Sequence, residues 1–181
     1  MNDFQRLVDA LRDIGIECRP DPEADGFIDN VRITKGVIHF KPEASLANIL
    51  HEAGHLACIP PAFRTQADGD LDNLAEVMCD YAGEMLDAGV SPDAPIMRAI
   101  IQCSDGEATA WAWAFGYKLG LKPEQIIEDQ DYGGHGADVR LQISTGMHLG
   151  VNGLRAAGMI DTTKNWPHLT KWMQDAKAEE E

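Results

Sequence analysis

The stretch Ala108-Thr109-Ala110-Trp111-Ala112-Trp113-Ala114-Phe115 leaves almost no polar side to the element it forms. Ser104-Asp105-Gly106-Glu107 introduces it, and Ser104-x-x-Glu107 has the form of a capping box, so the element reads as a helix continuing to Leu119. A helix that is apolar all round has to be covered by other elements. No apolar run here approaches the eighteen or so residues of a membrane span. The helix is therefore expected to be buried.

Enough amphipathic sequence exists to cover it. Phe4, Leu7, Val8, Leu11 and Ile14 recur at three- and four-residue steps and predict a first helix stopped by Gly15. Ile16-Glu17-Cys18 starts a strand, and Val31-Arg32-Ile33 and Val37-Ile38-His39-Phe40 flank a Thr34-Lys35-Gly36 turn as the arms of a hairpin. Ser45 is placed to cap a helix from Leu46 to about Cys58, which Pro60-Pro61 forbids from continuing. Leu71, Leu74, Ala75, Met78, Ala82 and Met85 mark another helix ending at Gly89, and Ser91-Pro92 opens a third around Ile96 to Cys103. Beyond Leu119 the sequence predicts a Pro123-led helical turn, a glycine-rich loop from Asp131 to Gly136, two short helices, and a last helix from Pro167 to Ala178. The expected fold is a helix-rich α+β single domain over residues 1–181, with a small N-terminal antiparallel sheet and a short acidic tail from about 176 to 181.

Composition narrows the function classes. The 181 residues carry 15 Lys+Arg against 30 Asp+Glu, a formal charge of −15, which repels phosphate backbones and anionic headgroups. Nucleic acid and membrane surfaces are thus disfavoured as partners, and metal ions and cationic groups are favoured. Cys18, Cys58, Cys79 and Cys103 are widely spaced with no C-x-x-C pair, and the N-terminus has no basic start leading into an apolar core. Reduced thiols and a cytoplasmic location are the expectation.

Chemistry concentrates in His51-Glu52-Ala53-Gly54-His55, an H-E-x-x-H pentad inside a predicted helix. Residues four apart on a helix lie one above the other, so His51 and His55 can offer two imidazole nitrogens to one ion. Glu52 lies beside them, basic enough to take a proton from a water whose pKa the metal has lowered. The bland alternative is a pair of histidines hydrogen-bonded within a packed helix. A catalytic zinc site has three protein ligands and one open position, so a third ligand is sought downstream. Glu76 competes, but Asn73, Glu76, Asp80, Glu84 and Asp87 together form the polar face of their helix. Glu107 is favoured because a carboxylate at the start of a buried helix needs a partner, although the capping box would also use it.

Cys58 follows His55 by three residues and reads as a small buried thiol rather than a soft ligand. His39, His148 and His168 are isolated. Tyr132 and His135 stand apart because a glycine-rich loop can approach a cleft closely, and either is a candidate donor to the oxyanion of a tetrahedral intermediate.

The pentad with a downstream helical glutamate resembles the zincin metallopeptidases, in the gluzincin arrangement of two histidines and a glutamate. Glu107-Ala108-x-Ala110-Trp111-Ala112 also resembles the Glu-Ala-Asn-x-Phe-Ala helix of ImmA/IrrE-type bacterial peptidases, with Thr109 for the asparagine and Trp111 for the phenylalanine. Trp111-Ala112-Trp113, Leu119-Gly120-Leu121, Gly150-Val151 and Gly158-Met159 are similar to small bacterial proteins described through their H-E-x-x-H signature alone. The segment between His55 and Glu107 is longer than the ImmA/IrrE spacing, and no metzincin-type histidine follows the pentad.

Together these features predict a zinc-dependent peptidase of zincin-like fold acting on a peptide or protein. Zinc is held by His51, His55 and Glu107, with Glu52 as general base and Tyr132 and His135 as further catalytic candidates. If Val37 to Phe40 is an edge strand beside the cleft, an extended peptide docks by adding to it. Two rivals from other classes are a regulatory or protein-binding domain with structural zinc, and a metal-free helical interaction protein.

Overall fold

The computed structural model describes residues 2–177. The acidic tail expected from about 176 therefore lies, from residue 178 onward, outside the described residues. The architecture is α+β, with ten α-helical segments and three short strands in chain order among the described residues. The strands are β1 (Cys18–Pro20), β2 (Val31–Thr34) and β3 (Val37–Phe40). Helices α1 (Asp3–Asp13), α2 (Leu46–Cys58), α3 (Pro61–Arg64), α4 (Asp72–Asp87) and α5 (Pro95–Ile101) form the first half. Helices α6 (Asp105–Lys118), α7 (Pro123–Ile126), α8 (Asp131–Gly134), α9 (Gly136–Ser144) and α10 (Leu149–Ala156) complete it.

The hairpin forms where the alternation placed it. Lys35 and Gly36 both take positive φ, 50° and 76°, as a two-residue turn between twisted strands requires. The sheet order is β1-β3-β2, with β3 antiparallel to β2 and parallel to β1. The sheet is thus mixed rather than antiparallel, because the irregular chain between β1 and β2 crosses over instead of turning back. One consequence is a correction: β3 is the central strand, hydrogen-bonded on both sides, so no peptide can add to Val37–Phe40.

Val31, Ile33, Ile38 and Phe40 are buried in the sheet, and α1 adds Leu7, Val8 and Leu11 to the same core. Ser45 caps α2 as expected, its Oγ accepting a hydrogen bond 3.1 Å from the Asn48 amide. Helix α6 runs through the centre, covered by α2 on one side and α10 on another, which answers the demand of its apolar circumference. Glycines set the approach of both neighbours. A Cβ on Gly54 would overlap the Ala108 carbonyl, and one on Gly150 would overlap the Gly106 carbonyl.

Trp111 and Phe115 stack with centroids 4.7 Å apart, and Trp172 meets Phe115 edge-on at 5.2 Å. Trp172 belongs to the segment expected to be the last helix, and that expectation fails: residues 166–177 are not helical. Their backbone groups bond to the core instead of to one another. Trp111 Nε1 donates to the Trp172 carbonyl at 2.8 Å, the Gln174 amide donates to the Ala57 carbonyl at 2.8 Å, and Arg64 donates to the Gln174 carbonyl at 2.8 Å. Tertiary partners outcompete local propensity here. No described helix is long and apolar enough to cross a membrane.

Candidate metal centre

The two pentad histidines lie on one face of α2 with Nε2 atoms 3.2 Å apart. A third donor reaches them from the first turn of α6: Asp105 Oδ1 stands 3.1 Å from His55 Nε2 and 3.8 Å from His51 Nε2. Three ligands at tetrahedral corners, each about 2.0–2.1 Å from a zinc ion, stand roughly 3.3–3.4 Å from one another. The three observed separations bracket that value, so the donor set His51, His55 and Asp105 fits one ion. Two imidazoles and a carboxylate also match zinc in ligand chemistry.

The close crossing at Gly54 makes this possible. Because α2 and α6 touch backbone to backbone at Gly54 and Ala108, the start of α6 comes within reach of imidazoles only one helical turn away on α2. The small Ala53-Gly54 pair inside the pentad thus serves the site as well as the core. Hydrogen bonds from His51 and His55 hold the Asp105 carboxyl far below the usual carboxylate range, so it is an anion ready to ligate. Its place in the first turn of α6 adds the favourable field of a helix N-terminus.

Glu107 does not join them. Its Oε2 accepts hydrogen bonds from the Ser104 amide at 3.1 Å and from Ser104 Oγ at 2.6 Å, and the carboxylate packs against Gly153 of α10. The capping role has taken this residue. Two positions along a helix rotate a side chain by about 200°, so Asp105 and Glu107 face opposite sides of α6. Asp105, Thr109 and Ala112 form an i, i+4, i+7 stripe on the cleft side, with Thr109 the one polar residue of the apolar stretch. That stripe is the signal in the sequence that puts Asp105 on the cleft side of α6. Glu76 is exposed on the outer face of α4, as its polar periodicity implied.

The rival ligands separate in a pair of variants. Asp105→Asn is expected to weaken zinc binding on the order of a hundredfold. Glu107→Gln should retain the metal while losing about 1 kcal/mol or more of stability from the weakened cap. Zinc titration with a competing chelator, read beside thermal melting, checks both, and the reverse pattern would restore Glu107 as the ligand.

A cleft of about 430 Å³ opens over the donors. Glu52 lines it, only 8% exposed, and makes no hydrogen bond or ion pair with any described residue. Burial pushes its carboxyl above the usual value, partly offset by the neighbouring His55 and His51.

Tyr132 reaches the same cleft. It lies in a left-handed turn, φ 55° and ψ 39°, followed by Gly133 and Gly134 also at positive φ. A bulky residue in that region is strained, and strain of this kind gathers at functional sites. Thr109 Oγ1 donates to the Asp105 carbonyl at 2.7 Å and lies 2.6 Å from the Tyr132 hydroxyl. Thr109 has a single hydroxyl proton, so Tyr132 is the donor in that pair. Burial pushes the Tyr132 phenol upward, opposed by this hydrogen bond, which keeps it a neutral donor at neutral pH.

His135 is not brought to the site. It sits at the far end of the left-handed turn, exposed, with Nδ1 3.4 Å from Asp138 Oδ2. It does not line the cleft, so the structure does not place it as an oxyanion donor. The remaining histidines have local partners: His39 faces Asp21 at 3.5 Å, His148 caps α10 by accepting from the Gly150 amide at 3.2 Å, and His168 meets Tyr117 edge-on. Cys58 is fully buried, and burial raises its thiol well above the ordinary value. No protein-family model, curated protein or solved structure matches this chain.

Proposed function

We propose that this chain is a zinc-dependent hydrolase of zincin-like fold, acting on a peptide or protein, with the metal held by His51, His55 and Asp105. The observation that carries the reading is Glu52: a buried carboxylate without a partner, one residue from a metal ligand and open to the cleft. Such a group costs stability unless something in the cleft uses it. When bound, zinc supplies Lewis acidity and lowers the pKa of a water to near 7.

The chain's own residues do the rest. Glu52 accepts a proton from the attacking water and returns it to the departing amine nitrogen. Tyr132, released from Thr109, donates its hydroxyl hydrogen bond to the carbonyl oxygen as negative charge develops there. Thr109 steadies the first turn of α6 through its bond to the Asp105 carbonyl.

A purely structural zinc site is closed by four protein ligands. Among the described residues this cluster has three, and the cleft lies directly over them, which favours catalysis over a regulatory metal module. The test begins with metal analysis of the purified protein, expected near one zinc per chain. Hydrolysis of an unstructured protein such as casein should stop with chelator and return with zinc. Stoichiometric metal surviving in the His51→Ala, His55→Ala double variant would sink the proposal, as would a zinc-loaded protein that cleaves nothing.

A further inference from the structure

The charges around the cleft are one-sided. Asp70, Asp72 and Asp131 line it together with the metal-centre groups, and no lysine or arginine does so among the described residues. Some aspartates away from the cleft are paired, Asp21 with Arg32, Asp25 with Lys41 and Asp129 with Arg140. Asp70, Asp72 and Asp131 form no ion pair among the described residues, although Asp70 and Asp131 accept backbone amide hydrogen bonds from Asp72 and Glu128 that fix their side chains. A carboxylate-bearing substrate end would find no cationic side chain to pair with here. Glu52 adds an independent pointer: it is nine-tenths buried, unpartnered, and lines the same cavity.

The walls between the acids are apolar. Ile126 and Ile127 are buried in the lining, and Phe27 stands 93% exposed at it. An exposed phenylalanine beside unpaired carboxylates suits a ligand that is both cationic and hydrophobic.

We infer that the cleft takes peptides carrying a positive charge, a lysine or arginine side chain or a free N-terminal amine, beside apolar residues. The inference rests on the hydrolase reading for its chemistry, but the recognition can be measured without turnover. Peptide binding to the zinc-loaded Glu52→Gln variant is the experiment. The probes are dansyl-labelled, C-amidated heptapeptides, identical except for a central lysine, arginine, citrulline, norleucine or glutamate. Each is made N-acetylated and with a free N-terminus, so that side-chain and terminal cations are read separately.

Lysine or arginine peptides, or the free-terminus series, should bind about tenfold tighter than neutral ones, with glutamate weakest. The preference should shrink as salt is raised from about 50 to about 500 mM, which screens carboxylates at the cleft mouth. It should collapse toward unity when Asp70→Asn, Asp72→Asn and Asp131→Asn are combined. The single Asp131→Asn variant, whose amide oxygen can still accept from Glu128, gives a partial loss if the triple variant does not fold.

Equal affinities, tighter binding of glutamate, a lysine preference that survives the aspartate variants, or no peptide binding at all would each overturn the inference. Casein hydrolysis by the unaltered protein stays as the separate readout of the hydrolase reading.

Discussion

Glu52→Gln is expected to lower hydrolysis by about 10²–10⁴-fold, the usual contribution of a positioned general base, while zinc stays bound. Glutamine keeps the shape of the side chain but cannot accept the water's proton. Two arguments set the variant apart from a structural lesion. Glu52 makes no hydrogen bond or ion pair with a described residue, so no internal network is broken. Burial already disfavours its charge, and removing a buried, unpartnered carboxylate relieves a cost rather than adding one. The metal-free variant should therefore melt no lower than the parent protein. Kinetic assay, metal content and calorimetry on the same preparation distinguish the outcomes. Full activity in the variant, or loss of activity accompanied by loss of zinc, would remove Glu52 from the role of base.

The parts of this arrangement visible in sequence were those governed by local physics. The pentad helix runs from Leu46 to Cys58 with Ser45 as its cap, because a cap, an apolar stripe and a double proline all act within a few residues. The hairpin around Lys35 and Gly36 is equally local. The parallel pairing of β1 with β3 was hidden, since nothing in Cys18–Pro20 records which strand it will meet across an irregular connection. Residues 166–177 lost their expected helix to acceptors on α2 and to the side chain of Trp111, partners that only the folded chain brings near.

The candidate site divides along the same line. His51, Glu52 and His55 are legible because one helix carries all three. The third donor depends on which side of α6 faces α2, and the demand for a ligand, with a carboxylate at the start of a buried helix, favours Glu107 in sequence over its neighbour two residues away. The apolar sequence of α6 masked its orientation, leaving Thr109 as the single polar mark of the cleft side. In the glycine-rich loop, the consecutive positive φ values of Tyr132, Gly133 and Gly134 decide that Tyr132 turns toward the cleft and His135 away. Only Gly133 and Gly134 of those three advertise that conformation in sequence.

Gly54→Ala should destabilise the chain, and its sign runs against helix propensity. In an exposed helix, glycine to alanine stabilises by about 0.5–1 kcal/mol. Gly83 on α4 meets that condition, with nothing within 4 Å of an added Cβ, and Gly83→Ala should raise the melting temperature. At Gly54 the added Cβ would overlap the Ala108 carbonyl oxygen and stand 2.8 Å from its carbon and 2.9 Å from the Ala108 Cα. These are backbone atoms of the central helix, with no flexible side chain to move aside. Overpacking of this kind costs about 1–3 kcal/mol, more than propensity returns, so steric repulsion wins. Relief requires α6 to draw back from α2, and Asp105 rides on α6 three residues before Ala108. A shift approaching 1 Å would take one donor out of a set whose separations now match a single ion. Gly54→Ala should therefore lose stability and zinc affinity together, the latter by about tenfold or more. Chelator competition and melting of Gly54→Ala beside Gly83→Ala measure both quantities. Equal or greater stability in Gly54→Ala, with unchanged zinc affinity, would mean that the close crossing of α2 and α6 does not hold the metal donors together.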